Sequence, residues 1–260
     1  MKIEFYKALW GMAGTLDDQV SRIMHAGFAG IESGVPAGYD RDFAARLTDA
    51  GLKWIGMLFV DDADALARGI DVAADMGAVS VTVHSGHDYW DFKTGAAFYS
   101  RAVDVQANAP FSVNHETHRA RTFFHPAITA RYLDEFPELT LCADFSHFTV
   151  VCSSLLGDQP DAVRKCLAAT RHIHARVGHQ EGPQVNDPRA PEWAGHVEQF
   201  SQWWDEVVTQ RSAAGDAVLT VDPEFGPPHY MPTLPFTRQP VADLWEICVW
   251  MKDHLTARWA

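Results

Sequence analysis

Cysteine is scarce in this chain: four residues in 260, Cys142, Cys152, Cys166 and Cys248, dispersed and never spaced as Cys-x-x-Cys. Neither a disulfide framework nor a zinc knuckle is indicated, and reduced thiols in the cytoplasm are the expectation. Positive charge is scarce too. Twenty-one Lys and Arg against 34 Asp and Glu leave a formal net charge of −13. No basic cluster offers the counterion-releasing face that nucleic-acid binding uses. No apolar run approaches the roughly 18 residues of a membrane span. The N-terminal Met1-Lys2-Ile3-Glu4-Phe5-Tyr6 reads as a strand, not as the basic stretch and apolar core of a signal peptide. The expected setting is cytoplasmic, with neither membrane nor nucleic acid as partner.

What is present is a large core and a regular alternation. Nearly half the residues are apolar, with 9 Trp and 15 Phe, which excludes general disorder. The length is close to the roughly 250 residues of one (β/α)8 barrel, and no linker or shift in composition divides the chain. One domain spanning residues 1–260 is the expectation. Short apolar or β-branched runs fall near Ile3–Ala8, Gly30–Ser33, Trp54–Phe59, Ser80–His84, Phe111–Glu116, Leu139–Asp144, His172–Arg176 and Ala217–Glu224. Between them lie segments of helical period: Leu16–Ala26, Arg41–Ala50 with Asp40 as N-cap, Asp62–Met76, Glu198–Arg211 and a closing Val241–Ala257. Gly27, Gly51 and Gly77 sit where helices should stop. Eight strands alternating with helices predict an α/β fold, a (β/α)8 TIM barrel.

The later strand ends carry the chemistry. Side chains alternate in and out of a barrel strand, so residues two apart share a face. That groups Asn114, Glu116 and His118 on the fifth strand, His172, His174 and Arg176 on the seventh, and Thr220, Asp222 and Glu224 on the eighth. Polar groups facing a barrel interior are destabilising unless something satisfies them. His84 ends the fourth strand at the same face, where it can touch a substrate. The Pro- and Asn-rich run from Gly178 to Trp193 is too long for an ordinary connection and suits a lid or substrate wall, with Trp193 its best aromatic candidate.

At this point the residues resemble the xylose isomerase-like barrels, the superfamily of sugar isomerases and epimerases, family 2 AP endonucleases and inosose dehydratases. Gly27-Phe28-Ala29-Gly30-Ile31-Glu32 looks like the second-strand signature, Asp144-Phe145-Ser146-His147 like the Asp-x-x-His, His172-Ile173-His174 like the seventh-strand motif, and Pro223-Glu224-Phe225-Gly226 like the eighth-strand glutamate. The resemblance implies one divalent metal on Glu116, Asp144, His174 and Glu224. An oxygen-rich set of this kind suits Mn²⁺ first, with Mg²⁺, Co²⁺ or Zn²⁺ compatible. It implies that Glu116 and Glu224 double as proton-transfer groups around an enediolate, and that His147 bonds a substrate oxygen. Glu32 ends the second strand, where such barrels commonly keep a structural or outer-site carboxylate.

Arg176 departs from the sugar epimerases, whose substrate-binding arginine comes several residues further along. It either binds substrate or pairs with a ligand carboxylate. Glu116-Thr117-His118-Arg119 and Gly182-Pro183-Gln184 look instead like a branch described generally as sugar phosphate isomerase or epimerase. His118 joins the substrate-binding candidates. The expected function is a metal-dependent isomerase or epimerase of a ketose, aldose or polyol ketone, with a small-molecule partner and a homo-oligomer permitted. The alternatives are an inosose-type dehydratase and a non-catalytic sugar- or metal-binding barrel; the acidic charge disfavours an AP endonuclease.

Overall fold

A computed structural model describes residues 1–35 and 41–260. Eight parallel strands, β1 (Lys2–Ala8), β2 (Gly30–Gly34), β3 (Lys53–Val60), β4 (Ser80–Ser85), β5 (Ser112–Glu116), β6 (Thr140–Ala143), β7 (Thr170–His174) and β8 (Val218–Asp222), close into a barrel. The closure is made by β8 pairing back onto β1, with Lys2 opposite Val218 and Phe5 opposite Val221. The helices among the described residues are α1 (Leu16–His25), α2 (Arg41–Asp49), α3 (Ala63–Asp75), α4 (Phe92–Ala107), α5 (Pro126–Glu135), α6 (Phe145–Cys152), α7 (Pro160–Ala169), α8 (Ala194–Ala213) and α9 (Leu244–Arg258). None is long and apolar enough to cross a membrane.

All eight strands lie where the alternation predicts them. Strand β7 is the informative difference: it begins at Thr170 and ends at His174, two residues earlier than expected, so Arg176 projects from the connection beyond the sheet. The proposed cap Asp40 falls outside the described residues. Gly27, Gly51 and Gly77 do follow helices, in the left-handed region at φ +75°, +67° and +79°, which a Cβ would strain. Gly30 serves packing instead. A Cβ there would come within 2.4 Å of the Lys53 carbonyl oxygen and 2.6 Å of the Tyr6 ring, so glycine is what allows β1, β2 and β3 to approach.

The strand period sorts the side chains. Ile31, Val81, Val113, Leu141, Ile173 and Val221 pack into the hydrophobic core with helix residues such as Ile23, Leu66, Phe200 and Ile247. The intervening positions build a polar barrel interior. In its N-terminal half much of this interior pairs with itself: Asn114 Nδ2 donates to Ser80 Oγ at 3.0 Å, and Asn114 Oδ1 accepts from Ser112 and Thr140 hydroxyls at 2.8 and 3.1 Å. Glu4 accepts from Lys53 at 2.6 Å.

His115, between Asn114 and Glu116, belongs to the core side. Its ring stands edge-on to Tyr99 with centroids 5.4 Å apart, and Nδ1 lies 3.1 Å from Ser85 Oγ. Burial pushes its pKa from 6.5 down to about 3, because an imidazolium there would lose its hydration. Between those values the unfolded chain binds a proton that the folded chain refuses, so stability should be intact above pH 6.5 and fall as pH drops toward 3. The loss from this group is on the order of 4 kcal/mol. Urea unfolding across that range should show a flatter acid limb for His115→Leu than for the parent; parallel limbs would refute the assignment.

Candidate metal centre and cavity

Four strand ends deliver four ligand atoms to one place. Glu116 closes β5, Asp144 follows β6 and caps α6, His174 closes β7, and Glu224 stands two residues beyond β8. One ligand atom from each lies within 4.8 Å of the other three, and all four residues are buried. Asp144 is held from several sides: its backbone N–H donates to Thr117 Oγ1 at 2.9 Å, and its Oδ1 accepts from the Ser146 N–H at 3.1 Å and from the Ser146 hydroxyl.

The orientation of His174 decides what the cluster can hold. Its Nε2 lies 3.1 Å from Glu32 Oε2, the oxygen that His172 Nε2 approaches at 2.9 Å. A carboxylate only accepts, so both Nε2 atoms carry hydrogen. Nδ1 of His172 can then accept from the Thr220 hydroxyl at 2.7 Å. Nδ1 of His174 is thereby left as a bare lone pair, 3.4 Å from Glu116 Oε1 and 3.2 Å from Glu224 Oε2, with no hydrogen-bond partner. Three acceptors converge with no donor between them, which is unfavourable unless a cation or a proton sits there. The same demand shows in the titration of His174. Burial opposes its charge, yet Cys142, Glu224 and Glu32 around it raise its pKa well above the ordinary value.

The charge count fits one divalent ion. Glu116, Asp144 and Glu224 bring three negative charges, and Arg176 returns one positive, leaving two. Arg176 is fully buried: Nη2 donates to Asp144 Oδ2, Nε to Ser146 Oγ at 3.2 Å and Nη1 to the Glu224 carbonyl at 3.2 Å, with Glu224 Oε2 3.4 Å from Nη1. Desolvation opposes this guanidinium's charge, and Asp144 and Glu224 outweigh it, raising its pKa. Arg176 is thus ion-paired with Asp144 and Glu224.

Above the cluster opens a cavity of about 340 Å³. Glu116, Glu224 and Arg176 line it on the side of β5 to β8, and Trp10, Met57 and Phe59 form an apolar wall opposite, with Tyr230 beside them. His84 and His118 line it as well. His84 stacks on Phe59, centroids 4.3 Å apart, and its Nε2 approaches Glu116 Oε2 to 2.7 Å. The two atoms thus meet as a close polar contact, and neither has another hydrogen-bond partner. Burial pushes His118 down to about 4, which keeps it neutral near pH 7.

Two substrate-binding candidates do not reach the cavity. His147 is fully buried with its ring 4.0 Å from that of His118, and its Nε2 accepts from Arg176 at 3.0 Å. Trp193 is not among the lining residues; its indole N–H donates to Asn186 Oδ1 at 2.6 Å and its ring packs between His179 and His196. The long segment before it is tied down, with Val185 N–H on the Val177 carbonyl and Gln184 exchanging two hydrogen bonds with the Gly226 backbone. The aromatic wall comes instead from Trp10, Phe59 and Tyr230. Met57, Phe59 and Tyr230 were not legible as site residues; for the first two, the available signal was their place near the end of the third strand. A pairing of Glu32 with two histidines 140 and 142 residues away has no local signature.

No family model matches the sequence, and no curated protein matches it. Solved structures do match in shape. AP endonuclease, family 2, from Brucella melitensis superposes with a TM-score of 0.62 at 13% identity, covering 97% of this chain and 98% of that one. The probable 3-DHS dehydratase AsbF of petrobactin synthesis from Bacillus anthracis gives 0.61 at 14% identity, covering 97% and 98%. A xylose isomerase domain protein from Alicyclobacillus acidocaldarius gives 0.59 at 14%, covering 98% of each chain. At such identities the likeness establishes the fold alone: the chain is a closed (β/α)8 barrel of the shape these proteins share.

Proposed function

We propose that this barrel is a metal-dependent isomerase or epimerase of a small sugar or polyol ketone, using one divalent ion, Mn²⁺ first, on Glu116, Asp144, His174 and Glu224. The observation that carries the reading is the convergence of Glu116 Oε1, Glu224 Oε2 and the bare His174 Nδ1 at the floor of the cavity. Bound there, the ion would draw electron density from adjacent hydroxyl and carbonyl oxygens and acidify the C–H between them.

Each glutamate keeps one oxygen for the proton. Glu116 turns Oε1 toward His174 and Oε2 toward His84, while Glu224 spends Oε2 on His174 and Arg176 and leaves Oε1 uncommitted. Glu116 and Glu224 come from β5 and β8, so they can reach a carbon between them from two sides, one removing a proton and the other returning it. Asp144 and Arg176 hold the charge balance while that proton moves. Trp10, Met57 and Phe59 offer an apolar wall to the carbon face of a substrate. The acidic charge supports a small-molecule substrate over nucleic acid.

A dehydratase is the second reading, favoured by the apolar wall, which suits the face of a ring. Protein stripped of metal, reloaded with Mn²⁺ and screened against ketoses, sugar phosphates and inososes separates the two. The expected outcome is one ion per chain and a product of unchanged mass. A product lighter by one water moves the assignment to the lyases, and failure to take up any divalent ion overturns both readings.

A further inference from the structure

We propose that the substrate carries an anionic group, a carboxylate or a phosphate, remote from the reacting hydroxy-carbonyl, and that Arg119 and Arg121 bind it at the rim of the cavity. The inference rests on the hydroxy-carbonyl reading above and adds a second point of recognition to it.

The chain reverses just after β5. Arg121 N–H donates to the His118 carbonyl at 2.9 Å, and Ala120 N–H donates to His118 Nδ1 at 3.2 Å. This turn sends its two arginines to different walls. The Arg119 guanidinium lies 5.1 Å from the ring centre of Tyr230, and that of Arg121 lies 5.5 Å from the ring centre of Phe59. Both rings line the cavity, so the two cations flank its mouth. A guanidinium lying over a ring engages its π face and keeps its in-plane N–H groups for a planar or tetrahedral anion.

Most of those N–H groups are unspent. Acidic residues outnumber basic ones 34 to 21, yet among the described residues neither Arg119 nor Arg121 has a carboxylate within ion-pair distance. Arg121 uses one N–H on the Gly86 carbonyl at 3.1 Å, while its Nε is buried without a partner. The cation deeper in the cavity, Arg176, is committed to Asp144, Ser146 and Glu224. An incoming anion therefore meets its free positive charge at the rim.

Three six-carbon probes test this on the Mn²⁺-loaded protein by calorimetry: glucitol, gluconate and glucitol 6-phosphate. At least one anionic probe should bind about tenfold tighter than neutral glucitol, and which of the two gains more identifies the group. In an Arg119→Gln/Arg121→Gln variant that gain should vanish while glucitol and Mn²⁺ affinities hold, which shows the variant is folded. Equal affinity for all three probes in the parent overturns the proposal and leaves the hydroxy-carbonyl reading standing. A gain that survives in the variant also overturns it, since the anion is then held elsewhere, on the ion itself. Absence of binding by all three probes also overturns it, and the hydroxy-carbonyl reading is then decided by the ion uptake and substrate screen described above.

Discussion

Glu116→Gln and Glu224→Gln are each expected to lower turnover by about a hundred- to ten-thousandfold, the usual span for losing a positioned acid or base. Glutamine keeps the shape and an acceptor oxygen of glutamate, so cluster packing should change little. What it loses is a charge that attracts the ion and an oxygen basic enough to take a carbon-bound proton. The two losses separate in the measurement. Raising Mn²⁺ to saturation restores whatever is due to weaker ion binding, and the turnover that stays missing belongs to proton transfer. A variant within tenfold of the parent at saturating ion would remove that glutamate from the acid–base assignment. Both glutamates are buried, so each variant should first be checked for a parent-like unfolding midpoint.

Arg176→Met is expected to produce the second large effect, and to produce it in stability. Removing one member of a buried ion pair costs about 3–5 kcal/mol, because the partner is left charged and desolvated. Here the abandoned groups are Asp144 and Glu224, both within reach of the lost guanidinium. Without metal, the variant should unfold at clearly lower denaturant than the parent. Added Mn²⁺ should recover more stability in the variant than in the parent, since the ion then neutralises three carboxylates with no internal competitor. Unfolding midpoints with and without the ion decide it: an equal gain in both proteins would show that Arg176 is not the counter-charge of the ligand set.

The architecture was legible because it is written in local period. Eight apolar runs, helices of amphipathic period and terminal glycines at Gly27, Gly51 and Gly77 needed no tertiary knowledge. Convergence of Glu116, Asp144, His174 and Glu224 was legible for a related reason, since strand ends of a closed barrel must share one face. The pairing choices within that face were not. Arg176 reads equally as a substrate ligand or as a counter-ion until β7 is seen to stop at His174, which frees Arg176 to reach Asp144 and Glu224. The contacts of Trp193 with Asn186 and two flanking histidines were not legible, because a loop's length says nothing of its internal ties. Phe59 and Tyr230 fall on no periodic pattern that distinguishes a cavity wall from core.

The hydrogen bond from His174 Nε2 to Glu32 has a further consequence, for cost and speed. An imidazole free to turn would offer either nitrogen and would surrender that freedom each time an ion arrived. In this barrel the ring is held by a carboxylate that His172 also grips, and the Thr220 hydroxyl steadies His172 from behind. The ordering entropy of that side chain is spent once, when the barrel closes. An ion arriving at this cluster would then find the imidazole already oriented, and its capture would not have to include the ordering of that ring.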